Sequence, residues 1–370
     1  MPPASPAVAY RRLSPAVKYL LGLLPFARPT TFCDVGANPI NEPPYLGLLR
    51  AGACRVVGFE PNPEAFAELE KAKGPNEIYF PQAVGDGKTH ILHLYRNSGL
   101  SSIYEPHMPG LKALGRPGWA QMAQDVEMKT VALDKIRDLP AFDCLKIDIQ
   151  GGEKIVFENG RKAMANAVAV IVEMRWMQLY EGEPMAGGVD DELRAQGFIL
   201  HKFMFNKGAM LANSQMRRLQ RRMNADQLID GDAVYLRHPG KLEDLSDDQL
   251  CHLALLGASV IASNSLVVAA LDELVRRGKI DRGAPAAYVT ALPEEVRLPE
   301  PDRAAVRATR HARRAARVNL DAMSFEEDQP QPDPVAPVVL DEEPAPVAKP
   351  APAKAVRKTA KTAKPASDAA

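Results

Sequence analysis

Thr31-Phe32-Cys33-Asp34-Val35-Gly36-Ala37-Asn38 reads as a short buried strand that runs into a glycine turn. A glycine at a strand tip lets the backbone turn sharply and lets a ligand come close. Outward from it, short apolar runs alternate with helical stretches. That alternation predicts an α/β domain with a mainly parallel sheet. Strands are expected at 31–35, 54–59, 78–84, 144–149 and 168–173, with further extended pieces at 90–95, 126–133, 198–205 and 232–237. Helices are expected at 14–24, 64–73, 153–165 and 190–196. Residues 243–280 carry leucines and valines at helical spacing, which suits core packing, a small helical appendage or a partner-binding helix pair.

The predicted organisation has four parts. Residues 1–29 form a proline-rich lead-in with one short helix, and 30–239 form the α/β domain. Residues 240–282 form a helical extension. Residues 283–370 form a charged, proline- and alanine-rich tail. In that tail a basic stretch at 302–317, an acidic one at 326–343 and a lysine tract at 349–364 bury too little apolar surface to offset chain entropy, so disorder is expected.

The chain has 370 residues, with 46 Lys and Arg against 46 Asp and Glu. A neutral balance argues against bulk attraction to nucleic acid or an anionic membrane for the folded domain. The lysine-rich tail allows weak contacts of that kind. No apolar run reaches the roughly 18–20 residues of a membrane span. Arg11 and Arg12 ahead of 19–24 loosely suggest a signal peptide, but Lys18 interrupts the run and prolines follow. A cytoplasmic location is therefore expected. Cys33, Cys54, Cys144 and Cys251 show no metal-ligand or close pair spacing, so neither a disulfide framework nor a metal site is expected.

Three charged motifs sit at predicted strand ends. In Gly58-Phe59-Glu60-Pro61-Asn62-Pro63, an acid at the tip of the second strand is placed to accept ribose hydroxyls. It stands 24 residues beyond Gly36, close to the roughly 20 of a nucleoside-binding βαβ unit. The competing use of Glu60 is to cap the next helix. In Leu145-Lys146-Ile147-Asp148-Ile149-Gln150-Gly151-Gly152-Glu153, two charges lie in a buried strand and face the same way. Buried charges are costly unless paired or functional, so a structural Lys146–Asp148 pair competes with a catalytic role. Glu173 ends the next strand at the same edge. The fingerprint G-x-G-x-x-G is missing, which disfavours a nicotinamide-dependent oxidoreductase.

Together these motifs resemble the FkbM family of methyltransferases, whose pattern D-V-G-A-N, F-E-P-x-P and K-I-D-[VI]-[EQ]-G-x-E is met at 34–38, 59–63 and 146–153. Leu133-Asp134-Lys135-Ile136 also fits. The resemblance covers about 30–239. It implies a class I Rossmann-like methyltransferase fold with a seven-stranded, mostly parallel sheet and an antiparallel last hairpin. It implies S-adenosylmethionine as methyl donor, with O-methylation of a hydroxyl on a sugar, another small molecule or a glycan. By position, Asp34, Gly36 and Asn38 would shape the methionine side of the cofactor pocket, Glu60 would hold the ribose, and Gln82 and Ala83 would lie near the adenine. Asp148 would face the methyl group as base or orienting group. Lys146 would tune it or hold a substrate oxygen, with Glu173 as a second acceptor-side group. Ser101 and Ser102 could line the pocket. The family's second glycine after Asn38 is replaced by Pro39-Ile40-Asn41-Glu42-Pro43-Pro44, so a stiffer loop and a late helix near Tyr45 are expected. A catalytically inactive descendant that serves as an interaction module is the alternative to an enzyme.

Overall fold

Thr30–Val35 (β1) is buried along its whole length. A strand buried on both faces has cover on both faces, as parallel sheets between helices provide. A computed structural model describes Tyr10, residues 12–38 and residues 42–298. It places β1 near the middle of a seven-stranded sheet. Its neighbours are β2 (Cys54–Phe59), β3 (Glu77–Phe80), β7 (Cys144–Ile147), β8 (Ala169–Arg175), β9 (Phe198–Ala209) and β10 (Gln227–Arg237). The order is β3-β2-β1-β7-β8-β10-β9. β1, β2, β3, β7 and β8 run parallel, and β10 runs antiparallel to both its neighbours. Counted along the chain within this sheet, the order is three-two-one-four-five-seven-six. The expected seven-stranded, mostly parallel sheet with an antiparallel last hairpin is therefore present.

The two sheet faces bury different layers. Cys33, Val35, Leu145, Ile147, Val170 and Val172 pack with helices α5 (Glu153–Glu158) and α6 (Ala186–Ala195). Phe32, Cys54, Val56, Cys144, Ile171, Val234 and Leu236 pack with α1 (Pro15–Leu23), α7 (Asp247–Ser259) and α8 (Asn264–Arg276). Local signals fix where these helices start. Ser14 accepts the Val17 N–H and Pro15 opens α1. Ser246 and Gln249 form a reciprocal capping box at the head of α7. The extension is thus part of the core, and it shares one layer with the N-terminal helix: the Ala27 N–H donates to Asp248 Oδ1 at 3.0 Å.

The expected tail boundary at 283 falls inside ordered chain. Ala284–Thr290 (α9) is a helix whose Tyr288 is fully buried and donates its hydroxyl to Asn264. The basic, acidic and lysine-rich tail segments lie outside the described residues, as do Pro39, Ile40 and Asn41 of the loop expected to be stiff. That loop is followed by a short helix, α2 (Leu46–Arg50), beginning after Tyr45 as expected.

Two expected elements are divided. The strand predicted over 78–84 breaks at Pro81, which lacks a ladder N–H. Its first half is β3, and Ala83–Val84 (β4) joins a second sheet with β5 (Thr89–Tyr95) and β6 (Met122–Val131), in the order β4-β6-β5. The helix predicted over 153–165 stops at Glu158, before Asn159-Gly160, a poor helical pair. A Cβ at Gly160 would also meet Val156 O at 2.9 Å. Elsewhere boundaries move: α6 begins four residues earlier than expected, β8 runs two further, and the β9–β10 hairpin is longer on both arms. All four cysteines are buried. No described helix is long and apolar enough to cross a membrane.

Candidate functional site

The sheet order reverses beside β1, between β1 and β7. Ligands of open α/β sheets sit outside the strand carboxyl ends at such a point. On the face covered by α1, α7 and α8, the inner positions of the strands are Phe32, Val56, Cys144, Ile171 and Val234. The next same-facing positions toward the rim are Asp34, Gly58 then Glu60, Lys146 then Asp148, Glu173 and Asp232. Charge replaces hydrocarbon there, and a cleft of about 1350 Å³ opens. All nine residues expected at the site line it: Asp34, Gly36, Asn38, Glu60, Gln82, Ala83, Lys146, Asp148 and Glu173.

Asp34 is buried and has two partners. The Tyr45 hydroxyl donates to Oδ2 at 2.5 Å, and Lys146 Nζ lies 3.2 Å from Oδ1. Asp34 and Lys146 are register partners across β1 and β7. Burial pushes the Asp34 carboxyl up, and the Lys146 charge opposes this. Lys146 is half-buried, and the Asp34 and Asp148 charges outweigh its desolvation and raise it. The expected structural pair of Lys146 is therefore formed with Asp34 rather than with Asp148, and Lys146 also donates to Gly36 O at 3.4 Å.

Gly36 has φ +83, and a Cβ there would stand 2.3 Å from Asp148 O. Its N–H and that of Ala37 donate to Phe59 O. The glycine is needed because three strand ends converge on it.

Glu60 is not the helix cap. Helix α3 (Pro63–Ala72) is capped by Asn62, whose Oδ1 accepts the Glu64 and Ala65 N–H groups at 2.9 and 3.1 Å. Pro63 opens it, where a missing N–H costs nothing. Glu60 accepts only the Asn62 N–H in this turn, at 2.8 Å. Burial raises its carboxyl, opposed by that N–H and reinforced by Asp34.

The far wall is organised by a residue not singled out in the sequence. Gln150 has φ +57, a sparsely populated conformation for a non-glycine residue. Its side-chain amide donates to Asp148 Oδ1 at 2.8 Å and Glu173 Oε2 at 2.7 Å. Its Oε1 accepts from Arg175 at 3.1 Å and Tyr180 at 3.3 Å, so the amide has one sensible orientation. Its backbone carbonyl accepts the Ser102 hydroxyl at 2.6 Å. Ser102 thus serves the frame, while Ser101 lines the cleft. Arg175 is buried and pairs with Glu173, Glu183 and Asp230 at 3.0–3.3 Å. Burial and the Asp148 charge push the Glu173 carboxyl well up, against Arg175. Arg175 was legible in principle, as a same-facing charge two residues beyond Glu173.

Asp148, Glu153 and Glu173 bring oxygens within 4.8 Å of one another, a geometry that could hold a cation. Each carboxylate is already served by N–H donors. Glu153 accepts from the Ile149 and Gly151 N–H groups, both at 2.9 Å, and Gln150 bridges the other two. Burial nevertheless raises Glu153 to about 7.

The methyltransferase FkbM domain model matches residues 34–200, the span that holds all nine expected residues. No curated protein matches the chain. Among solved structures, precorrin-6y C5,15-methyltransferase from Geobacter metallireducens is 11% identical, with 60% of this chain and 87% of that one covered and a TM-score of 0.28. Methyltransferase FkbM from Methylobacillus flagellatus is 13% identical, with 63% and 50% covered and a TM-score of 0.30. This chain thus spans half of that protein. Magnesium protoporphyrin IX methyltransferase from Synechocystis, solved with bound SAM, is 11% identical, with 63% and 79% covered and a TM-score of 0.29.

Proposed function

We propose that the chain transfers the methyl group of S-adenosylmethionine to a hydroxyl of a sugar, another small molecule or a glycan. The observation that carries this is the meeting of Glu60, Asp34 and Asp148 in one cleft at the sheet's switch point, within residues that match a methyltransferase family. The cleft is larger than the ~300–1,000 Å³ typical of one small ligand, which leaves room for a donor and an acceptor.

When bound, the donor supplies an electrophilic methyl group on a sulfonium. The chain's own residues do the rest. Glu60, freed from capping by Asn62, accepts ribose hydroxyls. Gln82 and Ala83 flank the adenine, and Asn38 borders the methionine end. Asp34, held by Lys146 and Tyr45, fixes the floor on which Gly36 turns. Lys146 therefore acts on the loop 34–38 as well as on the field at Asp148.

Asp148 faces the acceptor and takes its proton or orients it. Alignment of acceptor oxygen, carbon and sulfur contributes several kcal/mol of the barrier reduction. Gln150 holds Asp148 and Glu173 at a fixed separation. Burial favours the protonated form of Glu173 over that of an ordinary glutamate. Four buried thiols fit a reducing, cytoplasmic setting.

The test is transfer from labelled S-adenosylmethionine to a panel of sugar hydroxyl acceptors. Label recovered as a base-stable methyl ether is expected. Label recovered only on nitrogen or as a carboxyl ester would contradict the acceptor chemistry.

A further inference from the structure

From Lys207 to Ala225 the chain carries Lys207, Arg217, Arg218, Arg221 and Arg222 and no carboxylate before Asp226, and Lys207 pairs with Asp230 at 3.2 Å. The neutral overall charge conceals this local excess. Residues 210–226 join β9 to β10, and all four arginines are exposed. Among the described residues, none of the four makes an ion pair, and Arg218 donates to Gln215 at 3.2 Å. Leu211, Leu219 and Met223 are exposed among them, Met223 by 76%.

The spacing is that of a two-faced helix. Met216, Leu219 and Met223 recur at i, i+3 and i+7, which places them on one side at 3.6 residues per turn. The four arginines fall on the other side. In the structure the segment is a set of turns followed by one 3-10 turn, Arg221–Asn224. A second strip extends the charge. The Ala212 N–H donates to Ala113 O at 2.7 Å, which ties the tip to α4 (Met108–Ala113) with its Lys112. Arg116 and Lys207 both flank the Trp119 ring, each at 5.6 Å from its centroid. Phe205 and Lys207 of the same hairpin line the cleft.

We propose that residues 210–225, wound into that helix at the surface, dock the protein on an anionic lipid bilayer, the arginines against headgroup phosphates and Leu219 and Met223 in the acyl boundary. Basic and apolar side chains on opposite faces are what an interfacial segment needs. A nucleic acid would engage the arginines and leave Met223 and Leu219 in water. The surface is read by binding alone, independently of methyl transfer.

The experiment is co-sedimentation of the full chain with vesicles of phosphatidylcholine alone and of phosphatidylcholine mixed with phosphatidylglycerol, at low and high salt. Binding to the anionic vesicles only, weakened by salt, is expected. Arg217→Glu, Arg218→Glu, Arg221→Glu and Arg222→Glu together should weaken it roughly a thousandfold, from the usual increment per basic residue. Leu219→Ser with Met223→Ser keeps the charge and should still cost at least about tenfold. Undiminished binding by both variants would overturn the proposal and pass the role to the lysine tract at 349–364. No vesicle binding, or tight binding of single-stranded RNA without vesicle binding, would overturn it as well.

Discussion

One face of the sheet has two ends with opposite characters. At the inner end, Phe32, Cys144, Ile171 and Val234 meet α1, α7 and α8 in a dry layer. Two residues further along the same strands, Asp34, Lys146, Glu173 and Asp232 face the cleft. A strand repeats its direction every second residue, so one step of two exchanges core for site. The helical layer therefore does two things. It covers the apolar half, and by stopping short it leaves the charged half open. The inner end should govern stability and the rim should govern binding and turnover.

The largest expected effect is at the rim. Asp148→Asn should lower methyl transfer by about 10²–10⁴-fold while leaving cofactor affinity and melting temperature near wild type. Full activity would remove Asp148 from the chemistry. Next is the inner end. Leu253→Ala in α7, where the side chain is fully buried, should cost about 2–5 kcal/mol of stability. Thermal unfolding would show this as a fall of several degrees or more. Cofactor affinity of the folded variant should not change, and a large loss would show that the two ends are not separable.

Glu153 lies between these extremes. Its folded value is about 7 against an ordinary 4.5. The folded state therefore keeps a proton that the unfolded state has lost. That contribution is fully present below about 4.5 and is lost as pH rises through about 7. Glu153→Gln has no such proton to lose. Measured at about pH 5 and about pH 8, its stability relative to wild type should improve with pH, by at most about 3 kcal/mol. A flat difference would contradict the buried titration.

The smallest effect is at the second strand tip. Glu60→Ala should weaken S-adenosylmethionine binding about ten- to thirtyfold, roughly 1.5–2 kcal/mol. Its melting temperature should barely move, because Asn62 and not Glu60 caps α3. Unchanged affinity by calorimetry would refute the ribose role.

The strand tips were legible in the sequence because each is a local pattern: an apolar run, a carboxylate and a glycine or proline turn. The cross-strand partners were not. Lys146 faces Asp34 through the β1–β7 register, which joins residues 112 positions apart. The sequence neighbour two residues on, Asp148, drew the pairing instead. Arg175 lies beyond the strand end expected at Glu173, because extended backbone continues for two more residues, and its same-facing spacing is the signal that could reveal it. Gln150 looked like part of a turn, and only the fold shows its amide reaching two carboxylates on different strands. Pro81 was a readable break inside an apolar run, yet which sheet received each half depended on β6, some forty residues later. Ordered chain beyond 282 rests on Tyr288, a lone aromatic whose burial no periodic pattern announced.

Isothermal titration of the wild-type chain with S-adenosylmethionine, with NAD run alongside, goes straight to the rim. Saturable one-to-one binding of S-adenosylmethionine is expected, weakened in Glu60→Ala and kept in Asp148→Asn, with no heat from NAD. Binding of NAD with none of S-adenosylmethionine would contradict the assignment of the cleft.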